Sequence, residues 1–524
     1  MPLSGAGAAA VGIFALALIL YVRTLLPGPS FGDWAEMQLI LARLGVPHPT
    51  GYPLYMLLGK AFSLLPVGSQ AWRADLLSAV AAAGAAGTSV LISTRLGVRP
   101  SIAAILGLSL AATGTLWLEA TFSEMNSLHL LLMALVIHRA LVWRAERRDT
   151  DLLLGALLAG LSVANHLLAV TVIPIVTVFV LFDARRRLRE RPILLAQAAL
   201  LFLIGPALYL VIPIRALFGP AEVYGSLLTW DGLSGLISGA QFRSDMHFGT
   251  AESVATAWRA IPGVVAQLQD RSNIAFVYGG LVGVAILLIR DRWAGALLAL
   301  IAMANVYVYA GYLGDLEHYL LVSWLVLTVG LAFAAETLVA RLGAWRGVGA
   351  VAQLVLLLLP LSIVAGNWSS HDQSANQDGQ AFAETVFAAL PRDAVLLTYW
   401  DALTNLSYVH CVEGERPDLS LRAYDPAARV TCDPLEDPLE EVVTRRPVFA
   451  LFAFESDLDP LRGSFDLVPG PLLELPYGRR LPDRTGVLYR LEPKGLSTGP
   501  SDDPVRRPRD GPRSVRAVGR PGVS

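Results

Sequence analysis

Residues 32–54 read GDWAEMQLILARLGVPHPTGYPL. Asp33 and Glu36 stand three apart, so on a helix opening near Asp33 they share one face, and Asp33 also suits the N-cap position. In the next element Pro49 and Pro53 flank a Thr-Gly-Tyr turn, which fixes the backbone and presents His48 and Tyr52 as polar groups. Taken alone, the acidic pair reads equally well as a cap with a solvated neighbour, and the turn as a rigid connection. The rest of the chain separates the two readings.

That chain has 524 residues, 54% hydrophobic and only 16% charged, with a mean hydropathy of +0.53. Such a balance excludes a disordered chain and argues against an ordinary soluble enzyme. Residues 1–365 hold 42 of the 84 Lys, Arg, Asp and Glu, and the last 159 residues hold the other 42. This division describes a membrane body followed by a polar domain. The net charge of -2 excludes a generally basic, nucleic-acid-binding chain.

An apolar helix needs about 20 residues to cross ~30 Å of hydrocarbon. Spans are expected near 6–21, 75–93, 102–117, 128–142, 193–212, 274–289, 294–309, 318–337 and 348–365. The apolar stretch 152–182 is long for one crossing and short for two, and arginine placement decides it. If it is a hairpin turning at Asn165-His166, the loops at 94–100, 139–151, 184–192, 290–293 and 340–347 share one side. They then carry 15 of the 23 basic residues of the membrane body, and the short opposite loops carry none. The positive-inside rule gives eleven crossings, a cytoplasmic N-terminus and an extracytoplasmic C-terminal domain. The first span is followed at once by further structured sequence and reads as an uncleaved first helix rather than a signal peptide. In a bacterium the membrane would be the plasma or inner membrane.

Two long outer segments remain, 22–74 and 214–273, with amphipathic stretches at 34–44, 52–65 and 254–268. From 366 to 496 the pattern is that of an α/β domain, and 497–524 is a Pro-, Gly- and Arg-rich tail expected to be disordered. On this topology the acids of the membrane body gather at one rim: Asp33 and Glu36, then Glu119 and Glu124, then Asp315 and Glu317. Charge beside hydrocarbon costs several kcal/mol and is usually retained for use. His48, His129, His166 and His318 fall at or near the same rim.

The segment 32–80 resembles the opening of the protein O-mannosyltransferase-like transmembrane family, a GT-C superfamily group long catalogued as a domain of unknown function. The family shows an Asp-x-x-Glu pair, then Leu-Gly-x-x-His-Pro-Pro-Gly-Tyr-Pro-Leu, then Asn-x-x-Ser. Here Thr50 replaces the second proline, Asp75 stands where Asn is common, and Ser78 is retained. EMNSLH (124–129), GLSVANH (160–166) and YLVIPIRA (209–216) continue the resemblance over roughly residues 10–220, and CVEGERPDLSL (411–421) is a weak match in the polar domain.

The resemblance implies an all-α polytopic GT-C fold with about 11 transmembrane helices and a C-terminal extracytoplasmic α/β domain. It implies a glycosyltransferase that takes a hexose, mannose or a similar sugar, from a polyprenyl-phosphate carrier to Ser or Thr of an exported protein. Asp33 takes the matching position for the general base, with Glu36 orienting the acceptor or holding Asp33. Arg215, directly after a span, is the expected phosphate ligand, with a snorkelling interfacial arginine as the alternative. His48, Tyr52, Glu124, His129, His166, Asp315, Glu317 and His318 are the expected substrate-binding residues.

Asp315, Glu317 and His318 could with Asp33 hold a divalent cation such as Mg or Mn, yet no ligand spacing is diagnostic, and the expectation is no metal. Cys411 and Cys432, on the extracytoplasmic side, suit a disulfide, with two unpaired cysteines as the alternative. The same chemistry on a lipid or glycan acceptor is the second reading, and a transporter or flippase the third. The lack of an internal repeat and the rim placement of the acids weigh against transport.

Overall fold

The computed structural model describes residues 5–494, apart from 219–222, 225–226, 247–250, 271–273, 313–316, 343–346, 425–427, 433–436, 453–454 and 476–485. Asp315 and the 497–524 tail therefore lie outside the described residues.

Three apolar helices form the centre of the bundle, Gln70–Arg95, Met125–Glu146 and Glu317–Leu342, and each is buried along most of its length. Gly5–Thr24, Ile193–Leu217 and Val348–His371 surround them and turn apolar side chains such as Ile19, Leu200 and Leu361 outward. An outward apolar surface on a long helix is what lipid requires. Small residues let helices close up: a Cβ on Gly283 would stand 1.7 Å from the Gly330 carbonyl oxygen, so Ile274–Arg290 and Leu321–Leu342 cross at backbone contact.

Of the eleven expected spans, seven are, among the described residues, helices long and apolar enough to cross a membrane. An eighth is the pair Pro100–Ala112 and Gly114–Thr121, bent by 64° at Thr113. The others are helices too, but Asp149–Asn165 and Ile274–Arg290 have only 17 residues each, and Ala169–Glu190 ends in a charged stretch. The stretch 152–182 is thus divided between two helices, with the break at His166. Ion pairs join the arginine-rich loops at one end of the bundle: Arg99 with Glu336 at 2.6 Å, Arg144 with Asp291 at 2.8 Å and Arg139 with Asp151 at 2.9 Å.

At the other end lie the amphipathic helices Gly32–Arg43, Pro53–Ser63 and Ala251–Asp270, and beyond them a five-stranded sheet. Val395–Thr398 runs parallel to Ser420–Ala423 on one side and to Val448–Leu451 on the other. It is buried along its whole length, as its unbroken apolar run requires in a parallel sheet centre. Val487–Pro493 and then Phe465–Leu472 add antiparallel strands.

The sheet domain is fastened to the membrane body by polar contacts. Asn405 Nδ2 donates to the Ser30 carbonyl at 2.6 Å, Ala71 N donates to the Tyr408 hydroxyl at 2.8 Å, and Arg43 Nη1 donates to the Cys411 carbonyl at 3.3 Å. A two-residue antiparallel pairing of Val223–Tyr224 with Ala428–Arg429 adds a backbone link to the second outer segment. Cys411 and Cys432 are joined in a disulfide at the end of helix Trp400–Cys411.

Candidate active site

The helix Gly32–Arg43 sets the site. Gly32 adopts φ +59°, and a Cβ there would stand 2.8 Å from Asp401 Oδ1, so glycine allows the helix Trp400–Cys411 to pack directly against it. The other side of the helix is fixed by Trp34, stacked on Phe122 with ring centroids 3.9 Å apart. Between these contacts Asp33 stays exposed while Glu36 is completely buried. The two carboxyls thus share a helix face but not an environment.

Glu36 and His48 form a buried pair. Glu36 Oε1 accepts the His48 backbone N–H at 2.8 Å, and Oε2 accepts from His48 Nδ1. The Tyr52 hydroxyl donates to the Pro49 carbonyl at 2.8 Å and so faces His48 Nε2, 3.2 Å away, as an acceptor. His48 therefore donates from both ring nitrogens and is an imidazolium. Burial works against that charge, but the Glu36 and Asp33 carboxylates and the Glu36 hydrogen bond outweigh it and raise the pKa to about 10. Burial likewise pushes the Glu36 carboxyl up, and His48 offsets only part of that shift.

The turn that presents His48 depends on Gly51, at φ +84°, where a Cβ would stand 2.6 Å from Ile212 Cδ1. Behind the pair, Gln38 ties helix Gly32–Arg43 to Asp75 with Nε2 3.1 Å from each carboxylate oxygen. Ser78 Oγ donates to the Glu124 carbonyl at 3.0 Å and accepts from Tyr55. Burial, and after it the Glu119 and Asp33 carboxylates, push the Glu124 carboxyl well up. Glu119 accepts from Asn126 Nδ2 at 3.0 Å and has His318 Nδ1 at 3.8 Å.

The histidines come together as well. The His166 ring lies 5.5 Å from Tyr52, 5.6 Å from His129 and 6.1 Å from Tyr319 between centroids, and Tyr319 in turn touches His318 at 4.9 Å. The structure thus gathers Asp33, Glu36, His48, Tyr52, Glu124, His129, His166 and His318 at one end of the bundle. Glu317 opens the short helix that carries His318. Arg215 stands apart in its bonding: its Nε donates to the Leu44 carbonyl at 2.6 Å and Nη2 to the Arg43 carbonyl at 3.4 Å. It caps the carboxyl end of helix Gly32–Arg43 through its Nε–Nη2 edge, where Leu44 turns left-handed at φ 55°.

Between the membrane body and the sheet domain lies a cavity of about 640 Å³, with Asp33 and His48 on its wall. The opposite wall is aromatic, from Tyr399, Trp400, Tyr424 and Phe452. It is built at the carboxyl ends of the three parallel strands, where α/β sheets present their binding crevice. Trp400 Nε1 donates to Asp33 Oδ1 at 2.7 Å, directly across the cavity mouth. Reading the sequence misses Trp400 as a site residue, because YWDALTNLSY carries only a helical pattern; a tryptophan closing a strand–helix junction is the one local signal.

Asp33, Glu36 and His48 each offer one ligand atom, all within 4.8 Å of one another, and could hold a divalent cation. In this arrangement, however, the Glu36 carboxylate and the His48 Nδ1 proton are already engaged with each other.

Broken apolar helices, a carboxylate rim and a sheet domain closed over it make up a fold that solved membrane proteins share. The chain matches ArnT from Cupriavidus metallidurans bound to undecaprenyl phosphate with a TM-score of 0.61 and 12% identity, over 94% of this chain and 98% of that one. The apo state of that protein matches with a TM-score of 0.59 and 13% identity, over 92% and 97%.

Residues 33–189 match the model of the protein O-mannosyl-transferase TMEM260 N-terminal domain. The mouse protein O-mannosyl-transferase TMEM260 is 29% identical over 459 residues, and its Dictyostelium discoideum counterpart 21% identical over 461. These alignments cover 80% and 78% of this chain but 63% and 56% of the relatives, so the chain spans less than two thirds of their length.

Proposed function

We propose that the protein transfers a hexose, mannose or a close relative, from a polyprenyl-phosphate carrier to a Ser or Thr hydroxyl of an exported protein. The observation that carries this reading is Asp33: an exposed carboxylate on the wall of a cavity large enough for a sugar and a peptide segment, oriented by the indole of Trp400. The relatives named protein O-mannosyl-transferases support the sugar and the acceptor, and the neighbour bound to undecaprenyl phosphate supports the carrier.

In the reaction, the acceptor oxygen attacks the anomeric carbon from the face opposite the carrier phosphate. The new C–O bond forms as the bond from that carbon to the phosphate oxygen breaks, and the electron pair leaves with the polyprenyl phosphate. Asp33 takes the acceptor proton as general base, and the anomeric configuration inverts. Glu36, paired with His48, is a positioning residue: it fixes the imidazolium beside Asp33 and the donor. The cavity faces the extracytoplasmic side, a placement supported by the arginine loops at the far end of the bundle and by a disulfide in the sheet domain.

The test is transfer in liposomes. The purified protein should move labelled mannose from a synthetic polyprenyl phosphomannose to Ser/Thr of a folded polypeptide acceptor, with inversion. Transfer only to lipid or glycan, or none to any acceptor, would contradict the proposal.

A further inference from the structure

The aromatic wall of the cavity owes its regularity to the sheet. Thr398 pairs with Ala423 on one side and with Leu451 on the other, and the residue after each is aromatic: Tyr399, Tyr424 and Phe452. The Tyr424 backbone N–H donates to the Thr398 carbonyl at 3.1 Å, so the ladder carries on past the last strand residue. Neighbouring strands lie about 4.8 Å apart, and the three aromatic residues therefore stand side by side at the carboxyl edge of the sheet. Tyr424 and Phe452 meet at 90°, with ring centroids 5.3 Å apart. Phe452 is 4% exposed and backs the contact, whereas Tyr424 is 42% exposed and offers its ring to a ligand.

Trp400 follows Tyr399 and joins the same wall. Its N–H edge is engaged by Asp33, so a ligand meets the indole through its π face. Aromatic faces carry the negative part of the ring quadrupole and attract cations.

The charges of the cavity have the same sign. Its wall holds the carboxylates of Asp33 and Asp457, and the His48 charge is already answered by the buried Glu36. No Lys or Arg is found among the described residues of the wall. Asp457 lies on the short helix Glu455–Leu458, after the strand Val448–Leu451, and has no ion-pair partner among the described residues. A cleft of one sign between low-dielectric walls concentrates its field. Here that field favours a cation, and an anionic acceptor would find no counter-charge.

We propose that the cavity selects acceptor segments that carry a Lys or Arg side chain close to the Ser or Thr, with the rings of Trp400 and Tyr424 receiving the cation and Asp457 pairing with it. The inference rests on the glycosyltransfer reading above and adds the charge of its acceptor. In an extended segment, side chains two residues apart point the same way, roughly 6.5 Å from each other. One short segment can therefore bring its hydroxyl to Asp33 and its cation to the indole that Asp33 touches. A neutral sugar stacked on the same rings would leave the Asp457 charge unused.

The experiment measures equilibrium binding of fluorescent peptides to the full chain, purified in an uncharged detergent at fixed ionic strength and without donor. Each peptide has Ala at its centre in place of Ser, so that no sugar can be accepted. The residues two before and two after the centre are both Lys, both Gln or both Glu. The Lys peptide should bind about threefold to thirtyfold more tightly than the Gln peptide, and the Glu peptide more weakly than either. Asp457→Asn removes the carboxylate charge, and Tyr424→Leu keeps apolar bulk but removes the ring. Each should bring the Lys-over-Gln ratio below about half its wild-type value. The two residues lie on separate elements, so one variant decides the matter should the other not fold.

A Lys peptide no tighter than the Gln peptide, a Glu peptide tighter than it, or a ratio unchanged in either variant would overturn the assignment. Binding is read here without transfer, so a failure of the glycosyltransfer reading shows in the transfer assay alone and is distinguishable.

Discussion

Trp400 holds Asp33: the indole Nε1–H donates to the carboxylate Oδ1 at 2.7 Å across 367 positions of sequence. The bond joins the sheet domain to the first outer helix at the point where the two walls of the cavity meet. The sheet domain therefore completes the site as well as covering it.

Trp400→Phe keeps the ring and removes the donor. Asp33 loses a charge-assisted hydrogen bond that fixes its rotamer, and kcat for sugar transfer should fall by about tenfold with a smaller change in the acceptor KM. Steady-state transfer kinetics with a fixed saturating donor make the comparison. An unchanged kcat would show that the indole does not position the base.

The His48 imidazolium gives the fold a pH dependence. Its folded-state pKa is raised, to about 10, above an unfolded value near 6.5, so its contribution is fully present below about pH 6.5 and is lost as pH rises through about 10. The melting temperature of the purified protein should decline between pH 7 and pH 10. In His48→Gln that decline should be shallower, with a lower starting value. Equal slopes in the two proteins would contradict the ion pair with Glu36.

The disulfide between Cys411 and Cys432 closes a loop of 21 positions at the end of the helix that begins with Trp400. Replacing both cysteines by serine should destabilise the sheet domain by about 3 kcal/mol. Differential scanning calorimetry in detergent reads the loss directly. Because Arg43 bonds to the Cys411 carbonyl, the same variant should also slow transfer modestly.

Glu36 and His48 satisfy each other, so a cation would have to displace the imidazole proton to bind there. Transfer should persist after extensive EDTA treatment and gain less than about twofold from added Mg or Mn. Loss of activity restored by one of those ions would assign Asp33, Glu36 and His48 as its ligands.

The polytopic membrane body was legible because lipid imposes long apolar runs and because arginines mark the loop ends, whereas the GT-C expectation came from the resemblance of particular motifs; the hairpin turning at His166 followed from charge alone. The count of eleven was less secure than the helices themselves, since Thr113 bends one span and charge invades another. The strands 395–398 and 448–451 announce themselves as apolar runs, and 420–423 as the alternating stretch LSLRAY. Phe465–Leu472 and Val487–Pro493 do not: the first contains Pro469 and Gly470, residues that sheets tolerate at an edge, where it lies.

In the site, the Asp33–Glu36 spacing and the Pro-bounded turn were readable. The Glu36–His48 pair, the capping role of Arg215 and the contact of Trp400 with Asp33 were not, because each depends on which segments meet. An arginine after a span has the same sequence signature whether it binds phosphate or two backbone carbonyls.

The central claim is that Asp33 removes the acceptor proton. The direct measurement is single-turnover transfer of mannose from polyprenyl phosphomannose by Asp33→Asn, with donor binding and melting temperature recorded on the same preparation. Asparagine keeps the shape and can still meet Trp400. The rate should fall by about 100-fold to 10,000-fold while donor affinity and stability stay at wild-type values. A single-turnover rate within about threefold of wild type would contradict the account.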